Sequence, residues 1–545
     1  MGIPSYFSYI VKNHPSIIKK FVSNKMVINN LYLDCNSIIY DVVKRADFTS
    51  SRIGEDSAQS IISSIIAQIE EYIRCIQPSN TVYIAFDGVA PVAKMEQQRA
   101  RRYKSAYQNN IHRAIYKQTQ IDPFNTSSIT PGTAFMNQLN TKMYAHFTPL
   151  HSATVLKVNN CIVSCSDRHG EGEHKLFQYI REMPEMHANE TTVIYGLDAD
   201  LIMLSINHLP LCPSIYLFRE TPEFIKSIDS SLEPNANYLL DIPDLANAIT
   251  LDMNNGEPLT TIQQCNRMYD YIFMCFMLGN DFMPHFPAIN IRTGGINKLL
   301  NAYKQTVGNT NDNITDGKRI CWNVYRRFIG FLKTQEEKLI QEEMKLRDRR
   351  ANYNMPASTP DEKFARFELA PTYQREIEKY INPFRPNWQS RYYSSLLGMD
   401  VADEARKKQV CMNYLQGLEW TMKYYTSGCA DWRWSYHYHY PPLLEDLFNY
   451  VPLFETTLVP QLEPNPVTPV VQLCYVLPAS SLTLLNPALH RSLLEEHIRW
   501  YTNDCTFVWA FARYFWEAHC DLPDICIEEL EAFIQKWIDS NTVSK

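Results

Sequence analysis

The chain has 545 residues, a formal net charge of −7, 45% hydrophobic and 12% aromatic residues, and 14 cysteines. This composition excludes a disordered chain, and no apolar run approaches the roughly 20 residues of a membrane-spanning helix. Because the amino terminus lacks a signal-peptide pattern and no Cys-x-x-Cys pair occurs, we expect a cytoplasmic protein with free thiols, no membrane contact and no zinc site; a nuclear location stays open.

The first third of the chain predicts an α/β fold with a mostly parallel sheet flanked by helices. Four apolar, strand-like runs lie at residues 30–34, 81–87, 191–198 and 215–220. Helix-like stretches, of which residues 58–75 are the clearest, separate them. Strands that alternate with helices are typical of right-handed βαβ crossovers. Residues 268–278 are apolar nearly all round and predict a buried helix.

The character of the chain changes near residue 331, which suggests three parts. Residues 1–330 form the first region, and residues 331–365 are predicted to be a charged, largely exposed helix followed by a proline-containing linker. Residues 366–545 are rich in aromatic residues and proline. We expect this second region to be mixed in structure and to pack against the first.

Seven carboxylates lie at or beside the ends of predicted elements: Asp34, Asp87, Glu171, Glu173, Asp198, Asp200 and Asp281. The three that end predicted strands should meet at one edge of a parallel sheet, where α/β folds bind ligands. Any single one can be an ordinary cap, but a converging set repels itself unless protons or cations offset the charge. We therefore predict a site for two Mg²⁺ ions, with Mn²⁺ as a substitute, that acts on a phosphodiester.

A basic segment follows the second predicted strand. Residues 91–120 hold seven basic residues and one acidic residue. Four donors fall on one face of a predicted helix over residues 93–106, at i, i+4, i+7 and i+8: Lys94, Gln98, Arg101 and Arg102. A solvated basic face is the ordinary interpretation. Because only a short turn separates this helix from Asp87, we instead expect its basic face to bind a terminal phosphate beside the acids.

These segments resemble the signature segments of XRN-type 5′→3′ exoribonucleases in residues, order and spacing. In the first region the matching segments are Met1-GIPSYFSYI, Asn30-LYLDCNSIIY, Phe86-DGVAPVAKMEQQRARR, Gly170-EGEHK, Tyr195-GLDADLIML and Gly279-NDFMPH. In the second region they are Trp388-QSRYY, Gly417-LEW, Gly428-CADWRWSYHYHYPPLLEDL and Leu473-CYVLPASSLTLL. The resemblance covers nearly the whole chain.

The resemblance implies a PIN/flap-nuclease-like catalytic core in residues 1–330 and a second region that closes the active-site pocket. It implies Mg²⁺-dependent removal of nucleoside monophosphates, one at a time, from single-stranded RNA with a 5′-monophosphate, as in mRNA degradation after decapping. The seven carboxylates would bind the metal and catalyse the reaction, and the four donors on the basic helix would hold the 5′-phosphate. We expect a monomer, with decapping factors as candidate partners.

The chain departs from the family pattern in two respects. Tyr40 stands where relatives usually carry a histidine that stacks on the leading base; it keeps an aromatic face. Trp432 or Trp434 is the expected second stacking partner, although an isolated tryptophan is ordinarily part of a core. The chain also ends before the additional modules of large relatives, which predicts a compact, core-only member of the kind that a large DNA virus encodes.

Two other functions stay open at this point. A structure-specific flap or DNA nuclease uses a similar acid set, but the aromatic second region contains no recognisable helix–hairpin–helix segment. A non-catalytic RNA-binding scaffold is the other alternative, and the presence of all seven carboxylates argues against it.

Overall fold

The structure is a computed structural model that describes residues 3, 5–22, 26–45, 55–117, 124–220, 226, 229–234, 236–352 and 355–542. Seven strands form its main sheet: β1 (Ile18–Lys20), β2 (Asn30–Asp34), β3 (Thr81–Ala85), β4 (Asn160–Ser164), β5 (Thr192–Tyr195), β6 (Ile215–Glu220) and β7 (Asn237–Asp241). Their order is β1-β7-β6-β5-β2-β3-β4. Strands β2 to β6 are mutually parallel, and β7 runs antiparallel to both β6 and β1. The predicted mostly parallel sheet is confirmed.

Helices make up most of the remaining described structure. In chain order they are α1 (Tyr6–Asn13), α2 (Asn36–Arg45), α3 (Glu55–Ile76), α4 (Val92–Tyr116), α5 (Ala134–His146), α6 (Pro149–His151), α7 (Gly172–Glu182), α8 (Pro184–His187), α9 (Asp200–His208), α10 (Ile242–Met253), α11 (Thr261–Cys275), α12 (Gly295–Tyr303), α13 (Trp322–Lys333), α14 (Glu336–Ala351), α15 (Pro360–Glu368), α16 (Ala370–Tyr373), α17 (Glu376–Ile381), α18 (Trp388–Leu396), α19 (Glu404–Thr426), α20 (Leu444–Tyr450), α21 (Pro469–Val476), α22 (Pro487–His497) and α23 (Ile527–Thr542). A two-stranded ribbon joins β8 (Thr506–Val508) to β9 (His519–Asp521).

The sheet is covered by helices on both faces, which explains its apolar strands. In β2, Leu31 and Leu33 pack towards α2, α3 and α5, whereas Tyr32 packs on the opposite side with α7, α9 and α10. Strands buried on both faces read as continuous apolar runs. The predicted helix at 58–75 is α3, and the predicted buried helix is the end of α11 with the 3₁₀ turn Phe276–Leu278.

Two predicted strands end earlier than expected. β2 does end at Asp34, but β3 ends at Ala85 and β5 at Tyr195, so Asp87 and Asp198 lie in the loops that follow. A strand ends where its backbone hydrogen bonds to the neighbouring strands end. The apolar pattern of the sequence does not show at which residue this happens. The two carboxylates still emerge at the same edge of the sheet as Asp34.

The second region is mainly helical and shares a continuous apolar core with the first. The charged helix predicted to begin at residue 331 is divided between α13 and α14, and it is less exposed than expected because α14 buries Leu339, Ile340 and Met344. Pro360 begins α15 behind a capping box from Thr359, where a linker was predicted; residues 353–354 lie outside the described residues. The domain boundaries at 330 and 365 stay predictions. Among the described residues no helix is long and apolar enough to cross a bilayer.

Candidate active site

A cavity of about 470 Å³ opens at the carboxyl ends of β2, β3 and β5. Five of the predicted carboxylates line it: Asp34, Asp87, Glu171, Glu173 and Asp198. The other two are buried next to it. Asp281 accepts a hydrogen bond from Lys94, which also lines the cavity, and the backbone N–H of Asp200 lies 3.4 Å from a carboxylate oxygen of Asp198. The structure therefore gathers all seven at one end of the sheet. We call this space the acidic cavity.

Asp87 is held by hydrogen bonds from two segments that are distant from it in the chain, the starts of α2 and α7. The Asn36 side chain donates to Asp87 Oδ2 at 2.5 Å and accepts from the Asp87 backbone N–H at 3.0 Å. The backbone N–H of Gly172, the first residue of α7, donates to Asp87 Oδ1 at 2.6 Å. A side chain at Gly172 would place its Cβ 2.9 Å from Asp34 Oδ1. Glycine is required here because the helix backbone itself approaches the carboxylates.

Lys94, near the start of α4, bridges two of the acids. Its Nζ lies 2.5 Å from Glu171 and 2.7 Å from Asp281. The hydroxyl of Tyr424, on α19 of the second region, donates to Glu171 Oε1 at 2.7 Å, and the ring of Tyr424 stacks on His174 with a 3.7 Å centroid separation. The second region thus contributes a hydrogen bond that orients one carboxylate of the cavity wall.

Burial and mutual repulsion both change the pKa values of the acids in this site. Burial, followed by the charges of Asp87 and Asp198, raises the pKa of Asp34 well above its ordinary value. Burial and the neighbouring Asp198 raise the pKa of Asp200 to about 8. Burial alone would also raise the pKa of Asp281, but the adjacent Lys94 reverses this and lowers it. One lysine therefore does not neutralise the set.

The donor set fits a hard divalent cation. Within the described part of the chain, Asp200 Oδ1 is buried and has no hydrogen-bond partner. The carboxylate oxygens of the acidic cavity do not form a tight cluster of three; the one such cluster among the described residues lies elsewhere, at Glu70, His146 and His151. Mg²⁺ suits this looser arrangement because it usually binds one or two carboxylates and keeps several waters.

The structure brings three of the four predicted phosphate-binding residues to the acidic cavity. Lys94, Gln98 and Arg101 line it. Gln98 is oriented by the second region, since its Oε1 accepts from Gln472 Nε2 at 3.2 Å. Arg102 is not part of the lining, and its guanidinium donates to Thr130 Oγ1 at 2.6 Å. A phosphate-binding role for Arg102 stays a prediction.

The predicted stacking residues also separate into two groups. Tyr40, on α2, lines the acidic cavity and is 38% exposed. Trp432 and Trp434 are buried and do not contribute to the lining. Trp434 stacks on Trp420 with ring centroids 5.1 Å apart, and Trp432 packs edge-on against His169 at 5.2 Å. A stacking role for either tryptophan stays a prediction, and their packing is that of core residues.

Several residues of the site were not found from the sequence. Arg219, in β6, lines the acidic cavity, and its guanidinium lies 3.7 Å from the ring centroid of Phe7. An arginine within an otherwise apolar strand was the available signal for it. Asn36 stands two residues after Asp34 and resembles any residue at the start of a helix. Tyr424 and Gln472 come from the second region, and no local pattern links them to the acids.

Comparison with known proteins adds independent information. The family described as "XRN 5′-3′ exonuclease N-terminus" matches residues 1–221, and "Xrn1 helical domain" matches residues 263–366 and 357–537. The 5′-3′ exoribonuclease 2 homolog of Drosophila melanogaster is 26% identical over 88% of this chain and 64% of its own length. The 5′-3′ exoribonuclease 1 of Saccharomyces cerevisiae is 26% identical over 91% of this chain and 40% of its own length. The 5′-3′ exoribonuclease 1 of Homo sapiens is 28% identical over 96% of this chain and 33% of its own length.

The chain therefore spans less than two thirds of the length of each of these relatives. Among solved structures, the catalytic core of Rad2 in complex with DNA substrate matches with a TM-score of 0.31 and 12% identity, over 63% of this chain and 79% of that one. A score of this size does not establish a shared arrangement.

Proposed function

Because this chain belongs to the XRN 5′→3′ exonuclease family, we propose that its acidic cavity hydrolyses RNA from a 5′-monophosphorylated end and releases nucleoside monophosphates one at a time. The observation that carries this proposal is a single cavity with five carboxylates and three donors from α4 in its wall. The carboxylates suit a metal ion, and the donors suit a terminal phosphate. A cavity that holds both can grip the 5′ end and present the next phosphodiester to the acids.

Mg²⁺, when bound, would supply charge stabilisation for a phosphodiester under attack by water. The residues that would hold it are the carboxylates of the cavity wall: Asp34, Asp87, Glu171, Glu173 and Asp198, with Asp200 and Asp281 beside them. The protein's own contribution is their orientation. Asn36 and Gly172 fix Asp87, and Lys94 and Tyr424 fix Glu171.

Selectivity for the 5′ end would come from the α4 donors. A monophosphate can accept from Gln98 and Arg101, and charge-assisted hydrogen bonds of this kind contribute about 1.5–3 kcal/mol each. A 5′-hydroxyl end forgoes those bonds, and a triphosphate or cap adds bulk and charge for which the three α4 donors offer no further partner. The ends left by decapping of mRNA carry the favoured group, so we propose cytoplasmic decay of decapped mRNA as the role.

One assay tests these statements together. Single-stranded RNAs of one sequence with a 5′-monophosphate, a 5′-hydroxyl or a 5′-triphosphate are incubated with purified protein, with Mg²⁺ or with excess EDTA. We expect mononucleotide release only with Mg²⁺ and at least about tenfold faster from the monophosphate, which corresponds to roughly 1.4 kcal/mol. Equal rates on all three ends would refute the phosphate pocket, and full activity in EDTA would refute the metal site. A DNA strand of the same sequence tests the competing DNA-nuclease function.

A further inference from the structure

Three side chains of metal-ligating type converge outside the acidic cavity. Glu70 belongs to α3, and His146 and His151 are the last residues of α5 and α6. The Nε2 atoms of His146 and His151 lie 2.8 Å and 2.9 Å from the same carboxylate oxygen, Oε1 of Glu70. All three ligand atoms lie within 4.8 Å of one another. None of these residues lines the acidic cavity.

We propose that Glu70, His146 and His151 form a Zn²⁺ site that joins α3 to the corner between α5 and α6. Two imidazole nitrogens and one carboxylate oxygen are a typical three-residue zinc ligand set, with a fourth position for water. Imidazole ligands favour Zn²⁺ over Mg²⁺, which prefers oxygen. This site is therefore distinct from the acidic cavity in the metal that it selects, and it does not depend on the proposed function.

The observed distances need only a small adjustment to hold the ion. With bonds of about 2.0–2.1 Å in tetrahedral geometry, neighbouring ligand atoms stand roughly 3.3 Å apart. Each Nε2 therefore has to move away from Glu70 Oε1 by about half an ångström. The two histidine side chains are 34% and 23% exposed, so they have room for this movement and the fourth position can reach solvent.

The surroundings orient the ligands as a metal site requires. Arg74, one turn after Glu70 on α3, pairs with the other carboxylate oxygen and leaves Oε1 to face the histidines. Phe147 packs edge-on against both imidazoles, at 4.9 Å from His146 and 6.3 Å from His151. In metal proteins, hydrogen bonds to the metal-ligating side chains and packing around them commonly fix the orientation of those side chains.

A zinc ion here would stabilise the helical layer on one face of the sheet. α3 and α5 share a buried cluster that includes Ile69, Leu139 and Met143, and a metal would add a link between segments distant in sequence. The expectation of no zinc site rested on paired cysteines alone. A carboxylate on α3 and histidines at the ends of α5 and α6 do not produce that spacing.

The test uses the full chain, stripped of metal and returned to buffer with excess Mg²⁺ so that the acidic cavity is supplied with its own cation. ZnCl₂ is added while binding is followed by calorimetry and thermal unfolding, and CoCl₂ while visible absorption is recorded. We expect one Zn²⁺ per chain, a higher unfolding temperature and the intense visible bands of four-coordinate Co²⁺. His146→Ala and His151→Ala should each weaken Zn²⁺ binding at least tenfold.

Two control variants locate the binding. His490→Ala removes a histidine on α22, and Asp34→Asn alters the acidic cavity; both should bind Zn²⁺ as the unmodified protein does. The proposal is overturned if no Zn²⁺ binds, if Co²⁺ gives only the weak spectrum of six oxygen ligands, or if binding is lost in Asp34→Asn but kept in His151→Ala. The Co²⁺ spectrum needs no variant, so a variant that fails to fold still leaves a decisive measurement.

Discussion

Glu378, a buried carboxylate of the second region, differs from the carboxylates of the acidic cavity in how its charge is balanced. In the second region, Glu378 accepts hydrogen bonds from Arg347 at 2.6 and 2.8 Å, from Arg375 at 2.5 Å and from the Phe511 backbone at 2.7 Å. In the acidic cavity, Lys94 pairs with Glu171 and Asp281. Among the described residues, no lysine or arginine forms an ion pair with Asp34, Asp87, Glu173 or Asp200.

This difference in charge balance distinguishes a structural ion-pair network, around Glu378, from a candidate binding site, the acidic cavity. A buried charge without a partner destabilises the folded state, and it persists where binding or catalysis uses it. The Glu378 network has matched donors on every side and joins α14 and α17 to the segment before β9. The acidic cavity keeps negative charge that a bound cation can neutralise.

The largest expected effect comes from breaking the balanced network. Glu378→Gln leaves Arg347 buried without its anion and Arg375 paired only with the exposed Asp348, and breaking a buried pair in this way costs about 3–5 kcal/mol of unfolding free energy. Urea unfolding measures the loss. Activity per folded molecule should not change, because Glu378 does not line the acidic cavity. Unchanged stability with reduced RNA hydrolysis would contradict the structural role.

A substitution in the acidic cavity should have the opposite effect, in that stability is kept and activity is lost. Asp34→Asn removes one charge from a set whose members repel each other, so the metal-free protein should be as stable as the unmodified one or more stable. Removal of a ligand should lower single-turnover hydrolysis of 5′-monophosphorylated RNA roughly 10²–10³-fold, the usual effect of losing one electrostatic contact in a catalytic site. A variant that hydrolyses RNA normally would exclude Asp34 from the reaction.

The two neighbouring arginines of α4 sharpen the comparison further. Arg101 lines the acidic cavity, whereas Arg102 donates to Thr130 outside its lining. Arg101→Ala should lower activity on 5′-monophosphorylated RNA about tenfold, through loss of a charge-assisted hydrogen bond, and should leave activity on 5′-hydroxyl RNA nearly unchanged. Arg102→Ala is the matched control and should have the smaller effect. If the order of the two variants is reversed, the phosphate lies nearer Arg102.

Tyr40, a partly exposed residue of the cavity lining, tests base stacking in the same cavity. Base–aromatic stacking contributes roughly 1–3 kcal/mol, so Tyr40→Ala should slow degradation about tenfold while the affinity for the RNA end changes less. Tyr40→Phe keeps the ring and should restore the rate. The comparison is made by measuring single-turnover rates and equilibrium binding on the same RNA. If Ala and Phe behave alike, the ring does not stack.

The sequence predicted what local patterns determine. Apolar strands, the acids that follow them and the basic face of α4 are all properties of short segments, and the structure brings the acids and three of the four α4 donors to one sheet edge. The contacts made across the chain were not predictable: Tyr424 on Glu171, Gln472 on Gln98 and Arg347 on Glu378 depend on packing between elements that lie hundreds of residues or several helices apart. The two tryptophans show the converse: the resemblance implies a stacking role for one or the other, the fold buries both, and that role stays a prediction.

The smallest expected effect is the pH dependence of the metal-free protein. Burial raises the folded-state pKa of Asp200 from 3.8 to about 8. Folding therefore takes up a proton between about pH 4 and pH 8, and this contribution to stability is present at low pH and lost as the pH rises through 8. Between pH 7 and pH 8 we expect Asp200 to account for a loss of about 1 kcal/mol.

Lys175 opposes this trend, because burial lowers its pKa to about 8 and its folded form gives up protons in the same range. The contribution of Asp200 is therefore measured as a difference between the unmodified protein and Asp200→Asn, each unfolded in urea at pH 7 and at pH 8 in EDTA. The unmodified protein should lose more stability across this step. Mg²⁺ should remove the difference, because a cation keeps the carboxylate ionised in the folded state. If the two proteins show equal slopes in EDTA, Asp200 is already ionised without metal, and the acidic cavity is balanced by charges in the same way as Glu378.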